Sequence, residues 1–294
     1  MIVVGVDGSR AGLEAVAWAA AEAALRDVPL RVVHAIHRWA AETEQGRYAE
    51  VAHWMRQGAA TVLAAAVDRA RRAHPKLTVE SRILPGDPRA ALIREGEQAD
   101  LLVVGNHGLS AVRGLMVGSV AYGVAGHAPC DVVVVRQTPV TSSGEIVAGI
   151  DTSPRAAPVL EFAFAEAALR GADLRAVHVW SRYDKHGGFQ PIPDDVGEDE
   201  KNEVRQLKET LAGWCGRYPD VTVIEEVVRG HPVDALRDAA RGADLLVVGS
   251  RGRGELAGLV LGSVSHSLLH HAPGPLAVIR TSAEARRGNE HRGK

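Results

Sequence analysis

The chain has 294 residues, which is long for one domain and sufficient for two domains of about 150 residues. With 46% hydrophobic residues, 24% charged residues and a formal net charge of -2, its composition is that of a globular protein without a general attraction to nucleic acid or anionic membranes. The sequence starts directly with a strand and has no apolar run of roughly 18 residues. We therefore expect a cytoplasmic protein without a membrane or nucleic-acid partner.

Short strands alternate with helical stretches along the first half of the chain. Valine and isoleucine dominate the strands without polar alternation, which is typical of parallel strands buried on both faces. The stretches 11–27 and 60–73 have helix-type apolar spacing. This alternation predicts an α/β fold, a doubly wound flavodoxin-like sheet of five mostly parallel strands with helices on both faces. The strands are predicted at about 2–6, 30–35, 79–84, 101–104 and 132–136.

The second half repeats the first at a constant offset of 144 residues. ADLLVVG occurs at Ala99 and again at Ala243, and HAPCDVVVVR from His127 aligns with HAPGPLAVIR from His271. The stretch QTPVTSSGE between the copies is rich in linker residues. We therefore predict two tandem domains, a linker and a tail, at residues 1–138, 145–281, 139–144 and 282–294.

One region breaks the likeness between the repeats. Residues 37–60 and 181–204 have the same length but share little sequence. The second of them is rich in glycine and proline and then acidic, which predicts a mobile loop before a helix. Either a variable surface connection or a lid over a site fits this pattern, and the sequence leaves both interpretations open.

Each repeat carries the pattern Gly-x2-Gly-x9-Gly-Ser directly after its fourth strand. The pattern runs from Gly105 to Ser119 in the first repeat and from Gly249 to Ser263 in the second. Glycine permits unusual φ values and a close approach of the backbone to a ligand. The helix that follows presents unpaired N–H groups to a phosphate, and its serine either caps the helix or donates to a phosphate oxygen.

An aspartate follows the first strand of each repeat, Asp7 in one and Asp151 in the other. In open α/β sheets ligands bind beyond the C-terminal ends of the strands, and a flavodoxin-like order would bring the first and fourth strands together there. A carboxylate at this place suits ribose hydroxyls or an adenine amino group. The combined pattern predicts one nucleotide site in each repeat.

The Asp-x-Ser motif and the glycine pattern closely resemble those of the ATP-binding branch of the universal stress proteins, over nearly the whole chain. The resemblance implies a stress-response regulatory protein that binds ATP, with or without Mg²⁺, in both repeats. In the first repeat the implied nucleotide-binding residues are Gly5, Asp7, Ala35, Val104, Gly105, His107, Gly108, Gly118, Ser119 and Val120. In the second repeat they are Gly149, Asp151, Val179, Val248, Gly249, Arg251, Gly252, Gly262, Ser263 and Val264.

The resemblance also carries an expectation about assembly. It implies that the final strands of the two repeats, DVVVVR and PLAVIR, pair within one chain, and that two chains form a homodimer. The sequence names no downstream protein partner.

No pattern for catalysis accompanies the glycine motifs. There is no GxxxxGK[ST] loop, no GxSxG elbow and no cluster with metal-ligand spacing. His34 and His178 recur at the end of the second strand, where we expect packed, hydrogen-bonded side chains rather than general bases. Cys130 is expected to be a small buried residue at a strand edge, with a redox role left open.

A regulatory ATP-binding module without catalytic residues is therefore the leading hypothesis. Two alternatives stay open. One is a slow ATP hydrolase in which Asp7, Asp151 or a histidine activates water around Mg²⁺, and the other is an interaction protein in which nucleotide is incidental.

The repeats differ in charge around the glycine loop. Arg251 and Arg253 stand where the first repeat has His107 and Leu109, while Arg113 aligns with an alanine. Arginine stays charged at neutral pH and an ordinary histidine does not. We therefore expect tighter phosphate binding in the second repeat.

Overall fold

A computed structural model describes residues 1–109, 117–136, 142–181, 196–252 and 261–281. Residues 139–141 of the predicted linker, residues 182–195 of the region 181–204 that was predicted to start with a mobile loop, and the tail lie outside these ranges, as do Arg113 and Arg253.

Strands and helices alternate in each repeat. The strands of the first repeat are β1 (Ile2–Gly5), β2 (Leu30–Ile36), β3 (Val79–Pro85), β4 (Leu101–Gly105) and β5 (Asp131–Val135). Its helices are α1 (Arg10–Leu25), α2 (Arg38–Glu42), α3 (Ala49–Ala73), α4 (Pro88–Glu95) and α5 (Ser119–His127). The strands of the second repeat are β6 (Glu145–Gly149), β7 (Asp173–Trp180), β8 (Val223–Arg229), β9 (Leu245–Gly249) and β10 (Leu276–Ile279). Its helices are α6 (Ala157–Arg170), α7 (Val196–Arg217), α8 (Pro232–Ala239) and α9 (Ser263–His271).

Local sequence explains where the helices begin. Ser9 caps α1 by accepting a hydrogen bond from Gly12 N–H at 3.1 Å. Asp87 caps α4 by accepting from Ala90 N–H at 3.0 Å, and a proline occupies the first helical position. The buried face of α1 is mostly alanine, which lets the helix pack closely on the sheet.

The chain forms two compact units, of which the first comprises Met1–Thr138 and Pro275–Lys294. Its sheet has the order β3-β2-β1-β4-β5, with parallel neighbours. Val4 of β1 lies opposite Val32 of β2 and Val103 of β4, and all three are fully buried. The first and fourth strands are therefore direct neighbours, as the interpretation of the site requires.

The last strands of the two repeats pair within this first unit. Strand β10 runs antiparallel to β5, with Val278 opposite Val132. Arg280 closes the pair: its N–H donates to Asp131 Oδ1 at 2.8 Å, and its guanidinium donates to the Gly126 carbonyl at 2.8 Å. The pairing of final strands that the resemblance implied is present.

The second unit, Pro139–Gly274, has the strand order β9-β6-β7-β8, again with parallel neighbours. Ala148 of β6 lies opposite Ala176 of β7 and Val247 of β9. The predicted fold class, two tandem doubly wound α/β domains with helices on both sheet faces, is confirmed. No helix in the described part of the chain is long and apolar enough to cross a bilayer.

Cys130 immediately precedes β5 and is partly buried, with its sulfur against the backbone of Gly96. Burial raises the pKa of its thiol to about 12, and the neighbouring carboxylate of Asp131 adds to the increase. A thiol with this pKa holds very little nucleophilic thiolate at neutral pH, which argues against a redox role.

We predict that Cys130 reacts slowly with thiol reagents. In a Cys215→Ser protein, the labelling rate of the remaining thiol should rise about tenfold per pH unit between pH 8 and 10, because the thiolate fraction does so below the pKa. The same protein unfolded in urea provides the control, since its rate should level off near the ordinary thiol pKa of about 8.5. A native-state rate that levels off below pH 10 would contradict the prediction.

Candidate nucleotide site

Each repeat contains a cavity at the C-terminal ends of its first and fourth strands. The first cavity has a volume of about 230 Å³ and the second about 270 Å³, near the lower end of the size of small-molecule sites. All the residues implied by the resemblance line the cavity of their own repeat. The structure thus brings each predicted set together, while nucleotide binding by these residues stays a prediction.

The floor of each cavity depends on a glycine at the end of the first strand. A β-carbon on Gly5 would lie 2.9 Å from a methyl carbon of Leu92, and one on Gly149 would lie 2.9 Å from a methyl carbon of Leu236. Real β-carbons essentially never approach so closely, so the glycines make room for the leucines of α4 and α8. The leucines line the cavities and give each one an apolar side.

Gly105 and Gly108, the first two glycines of the pattern in the first repeat, make room for different neighbours. A β-carbon on Gly105 would lie 2.8 Å from the carbonyl of Ala11, so this glycine lets the first turn of α1 pack on the end of β4. A β-carbon on Gly108 would collide with Oδ2 of Asp7. The expectation of unusual φ values is wrong here, because none of the six pattern glycines has a positive φ. Close approach is what requires glycine.

The last glycine of each pattern is the N-cap of the following helix. Gly118 precedes α5 and Gly262 precedes α9, and neither helix has a side-chain cap. The serines are therefore the first helical residues, and the capping role that the sequence allowed does not hold. Gly118 N–H donates to the Asn106 carbonyl at 2.7 Å, and Gly262 N–H donates to the Ser250 carbonyl at 2.8 Å.

The helix N-termini open into the cavities. Residues 119–121 line the first cavity and residues 263–265 line the second. Helix geometry leaves their amides without intrahelical acceptors, so each cavity presents N–H groups and the positive end of a helix dipole. This is an environment that favours a phosphate group.

The two aspartates face the glycine loops but have different partners. In the first repeat Asp7 Oδ1 accepts from Ser9 N–H at 3.0 Å, and Oδ2 accepts from Leu109 N–H at 2.8 Å. In the second repeat Asp151 Oδ1 accepts from Ser153 N–H at 3.0 Å and from its hydroxyl at 2.8 Å. Asp151 Oδ2 is buried, and no donor among the described residues reaches it.

The second cavity also contains an arginine that the sequence interpretation missed. Arg155 lines this cavity, and its Nη1 donates to the Gly252 carbonyl at 3.0 Å. The matching residue of the first repeat is Ala11, so the repeat comparison gave no signal for Arg155. Among the residues that the structure describes, Arg155 and Arg251 are the two arginines that line the second cavity, whereas the first cavity has His107 at the position of Arg251.

Prolines at the start of α4 and α8 were also missed. Pro88 lines the first cavity and Pro232 the second. Their constant offset in the two repeats, together with the preceding Gly86 and Gly230, is a signal that could have identified them.

The recurrent histidines are hydrogen-bonded, as expected. His34 Nδ1 lies 2.7 Å from the Val6 carbonyl, and His178 Nδ1 lies 2.7 Å from the Ile150 carbonyl. His178 is buried, and its Nε2 pairs with Glu203 at 2.9 Å. Across the described ranges, no group of three or more His, Cys, Asp or Glu side chains is arranged to hold a metal ion.

The residue that follows the second aspartate has a strained backbone conformation. Thr152 has a φ of 53°, in the left-handed region that a β-branched residue rarely adopts. Its counterpart in the first repeat is Gly8, with a φ of 85° and no such penalty. The turn after Asp151 is therefore held in a strained conformation by its surroundings.

Comparison with known proteins assigns both repeats to one protein family. A model of the universal stress protein family matches residues 1–136 and 143–280. The universal stress protein Rv2005c of Mycobacterium tuberculosis H37Rv is 36% identical over 290 residues, which cover 96% of this chain and 97% of the relative. A universal stress protein of Mycolicibacterium smegmatis is 37% identical over 296 residues, with 95% and 96% coverage. The crystal structure of a universal stress protein from Archaeoglobus fulgidus shares the fold, with a TM-score of 0.72, 20% identity, and coverage of 96% of this chain and 98% of that chain.

We predict that Thr152→Gly stabilises the protein by about 1 kcal/mol, because glycine adopts a positive φ without steric cost. Thermal denaturation should show a midpoint higher by about 2–4 °C if the second unit unfolds as one transition. Thr152→Ala is the matched control, since it removes the hydroxyl but keeps the strained β-carbon. Equal midpoints for the glycine and alanine variants would contradict the interpretation.

Proposed function

The chain belongs to the universal stress protein family, and on that premise we propose that it is an ATP-binding regulatory protein with one nucleotide site in each repeat. ATP binding at these sites changes the conformation of the protein or its choice of partner. We further propose a cytoplasmic location and a homodimeric working form. Where Mg²⁺ is present, it binds to the phosphates of the bound ATP.

The observation that carries this proposal is the duplicated cavity. In both repeats a carboxylate, a closely approaching glycine loop and a helix N-terminus without a side-chain cap surround one space. The helix amides suit the phosphates, and the aspartate suits the nucleoside because a carboxylate repels phosphate but accepts hydrogen bonds from hydroxyl or amino groups. Two matching copies make a coincidental arrangement of turn glycines a poor explanation.

A route from the first cavity to the paired final strands supports the regulatory part of the proposal. Helix α5 lines the cavity with its first residues, and at its other end Gly126 accepts the hydrogen bond from Arg280. Arg280 also binds Asp131 at the start of β5. A shift of α5 on phosphate binding would therefore act directly on the β5–β10 pair.

Isothermal titration calorimetry of nucleotide-free protein tests the proposal. We predict two ATP molecules per chain for the unaltered protein and one for either Gly118→Val or Gly262→Val. A β-carbon on Gly118 would lie 3.3 Å from the Cα of His107, and one on Gly262 would lie 3.4 Å from the Cα of Arg251, so a larger side chain must push the loop away from the helix.

Gly213→Ala on α7 is the control for these variants, because a β-carbon there meets no atom within 4 Å. It should bind two ATP molecules like the unaltered chain. Absence of binding in the unaltered protein, or two sites in either valine variant, would contradict the proposal.

We predict tighter ATP binding in the second cavity than in the first. The Gly118→Val protein retains the second site and the Gly262→Val protein retains the first, so their affinities are directly comparable. Arg251→His in the former should weaken binding about threefold to tenfold at pH 8, and His107→Arg in the latter should strengthen it by a similar factor, because an arginine guanidinium is always protonated and can bind a phosphate through two N–H groups. The difference should shrink at high salt. Equal affinities of the two sites at low salt would refute this prediction.

A further inference from the structure

Helix α9 of the second repeat carries two histidines one helical turn apart. His266 and His270 stand at positions i and i+4, a spacing at which side chains on a helix are neighbours. The chain has 13 histidines, and only these two have this spacing. Neither is among the residues that line the second cavity, so the proposed nucleotide site does not account for them.

The two imidazole rings lie close together. Their centroids are 5.5 Å apart, with 37° between the ring planes. A metal ion binds an imidazole nitrogen at about 2.0–2.1 Å, so two imidazoles that share one ion at a tetrahedral angle have centroids roughly 5.2 Å apart. The observed separation is close to this value. Because the χ2 torsion of histidine is broad, a small rotation of each ring can aim one of its nitrogens at a common point.

The position of the pair on α9 allows an ion to reach it. His266 is exposed and His270 is half-buried. The buried residues of the helix are Ser265, Leu268 and Leu269, so the histidines lie outside the face that packs on the core. Water from the solvent can therefore complete the coordination of an ion held between the two rings.

The ligand chemistry selects the kind of ion. Imidazole suits Zn²⁺, Cu²⁺ and Ni²⁺, whereas Mg²⁺ and Ca²⁺ prefer carboxylate, carbonyl and water oxygens. Two histidines at positions i and i+4 on one helix face are also the arrangement of helical zinc sites. His266 and His270 are a pair rather than a cluster, since the described residues supply no group of three or more metal-binding side chains. The ion would keep open coordination positions and exchange with the solvent.

The neighbouring histidine and the first repeat do not offer the same geometry. The centroids of His270 and His271 lie 6.3 Å apart, close to the roughly 6.4 Å at which an ion would have to lie directly between the two rings. His266 is therefore the better partner for His270. In the first repeat the counterparts of this pair are Tyr122 and Gly126, which have no imidazole.

We propose that His266 and His270 form a binding site for one transition-metal ion of the Zn²⁺, Ni²⁺ or Cu²⁺ class, a site that the first repeat lacks at the matching positions. The ion joins two successive turns of α9. Because residues 263–265 of the same helix line the second cavity, the metal site and the candidate phosphate site share one helix. The metal site does not depend on nucleotide binding, since its two ligands lie outside that cavity.

Zinc titration of nucleotide-free protein, purified without a polyhistidine tag, tests this inference. Isothermal titration calorimetry should show a Zn²⁺ site in the unaltered chain that His266→Ala and His270→Ala each weaken at least about tenfold, because loss of a ligand costs no less than loss of the group that orients it. His271→Ala is the matched control, since it removes an exposed histidine from the same helix and should leave the Zn²⁺ affinity unchanged.

Electron paramagnetic resonance of the same proteins with one equivalent of Cu²⁺ identifies the ligands. The nitrogen couplings should indicate two imidazoles in the unaltered chain and one in either the His266→Ala or the His270→Ala protein. Absence of Zn²⁺ and Cu²⁺ binding, or equal affinities in the unaltered chain and the His270→Ala protein, would overturn the inference. A loss with His271→Ala as large as that with His266→Ala would overturn the assignment to the i, i+4 pair.

Discussion

Parallel pairing of the first strand with the fourth is the constraint on which both candidate sites depend. Because β1 pairs with β4 and β6 with β9 in parallel, their C-terminal ends meet at one edge of the sheet. That edge receives an aspartate from one strand and a glycine loop from the other. Any change in strand order would separate the two groups, since neither is held near the other by the local sequence.

Much of this arrangement was predictable from the sequence. Runs of Val and Ile predicted the strand positions. Motifs repeated at a fixed offset predicted the duplication and the residues that line each cavity. Sequence could not identify Arg155, because its repeat counterpart is Ala11. It was wrong about the φ values of the loop glycines, whose role is close approach to Ala11 and Asp7. It also left the role of Ser119 open, because Gly-Ser before a helix does not specify which residue is the N-cap.

Duplication produced two sites of the same plan but with different local energetics. The second contains a threonine with a left-handed backbone conformation, Thr152, and a buried carboxylate oxygen, Asp151 Oδ2, that no donor in the described ranges reaches. The first has Gly8 at the position of Thr152. Departures from favourable local structure concentrate at functional sites, where the surrounding fold holds them in place.

The most direct test of the central claim is denaturing extraction of the purified protein, followed by chromatography of the released nucleotide and its quantification per chain. The account predicts ATP at close to two molecules per chain, which also requires slow hydrolysis. Release of mostly ADP would favour the ATP hydrolase instead of the regulatory module. Absence of nucleotide, with no binding when ATP is added back, would contradict the claim that the duplicated cavities are ATP sites.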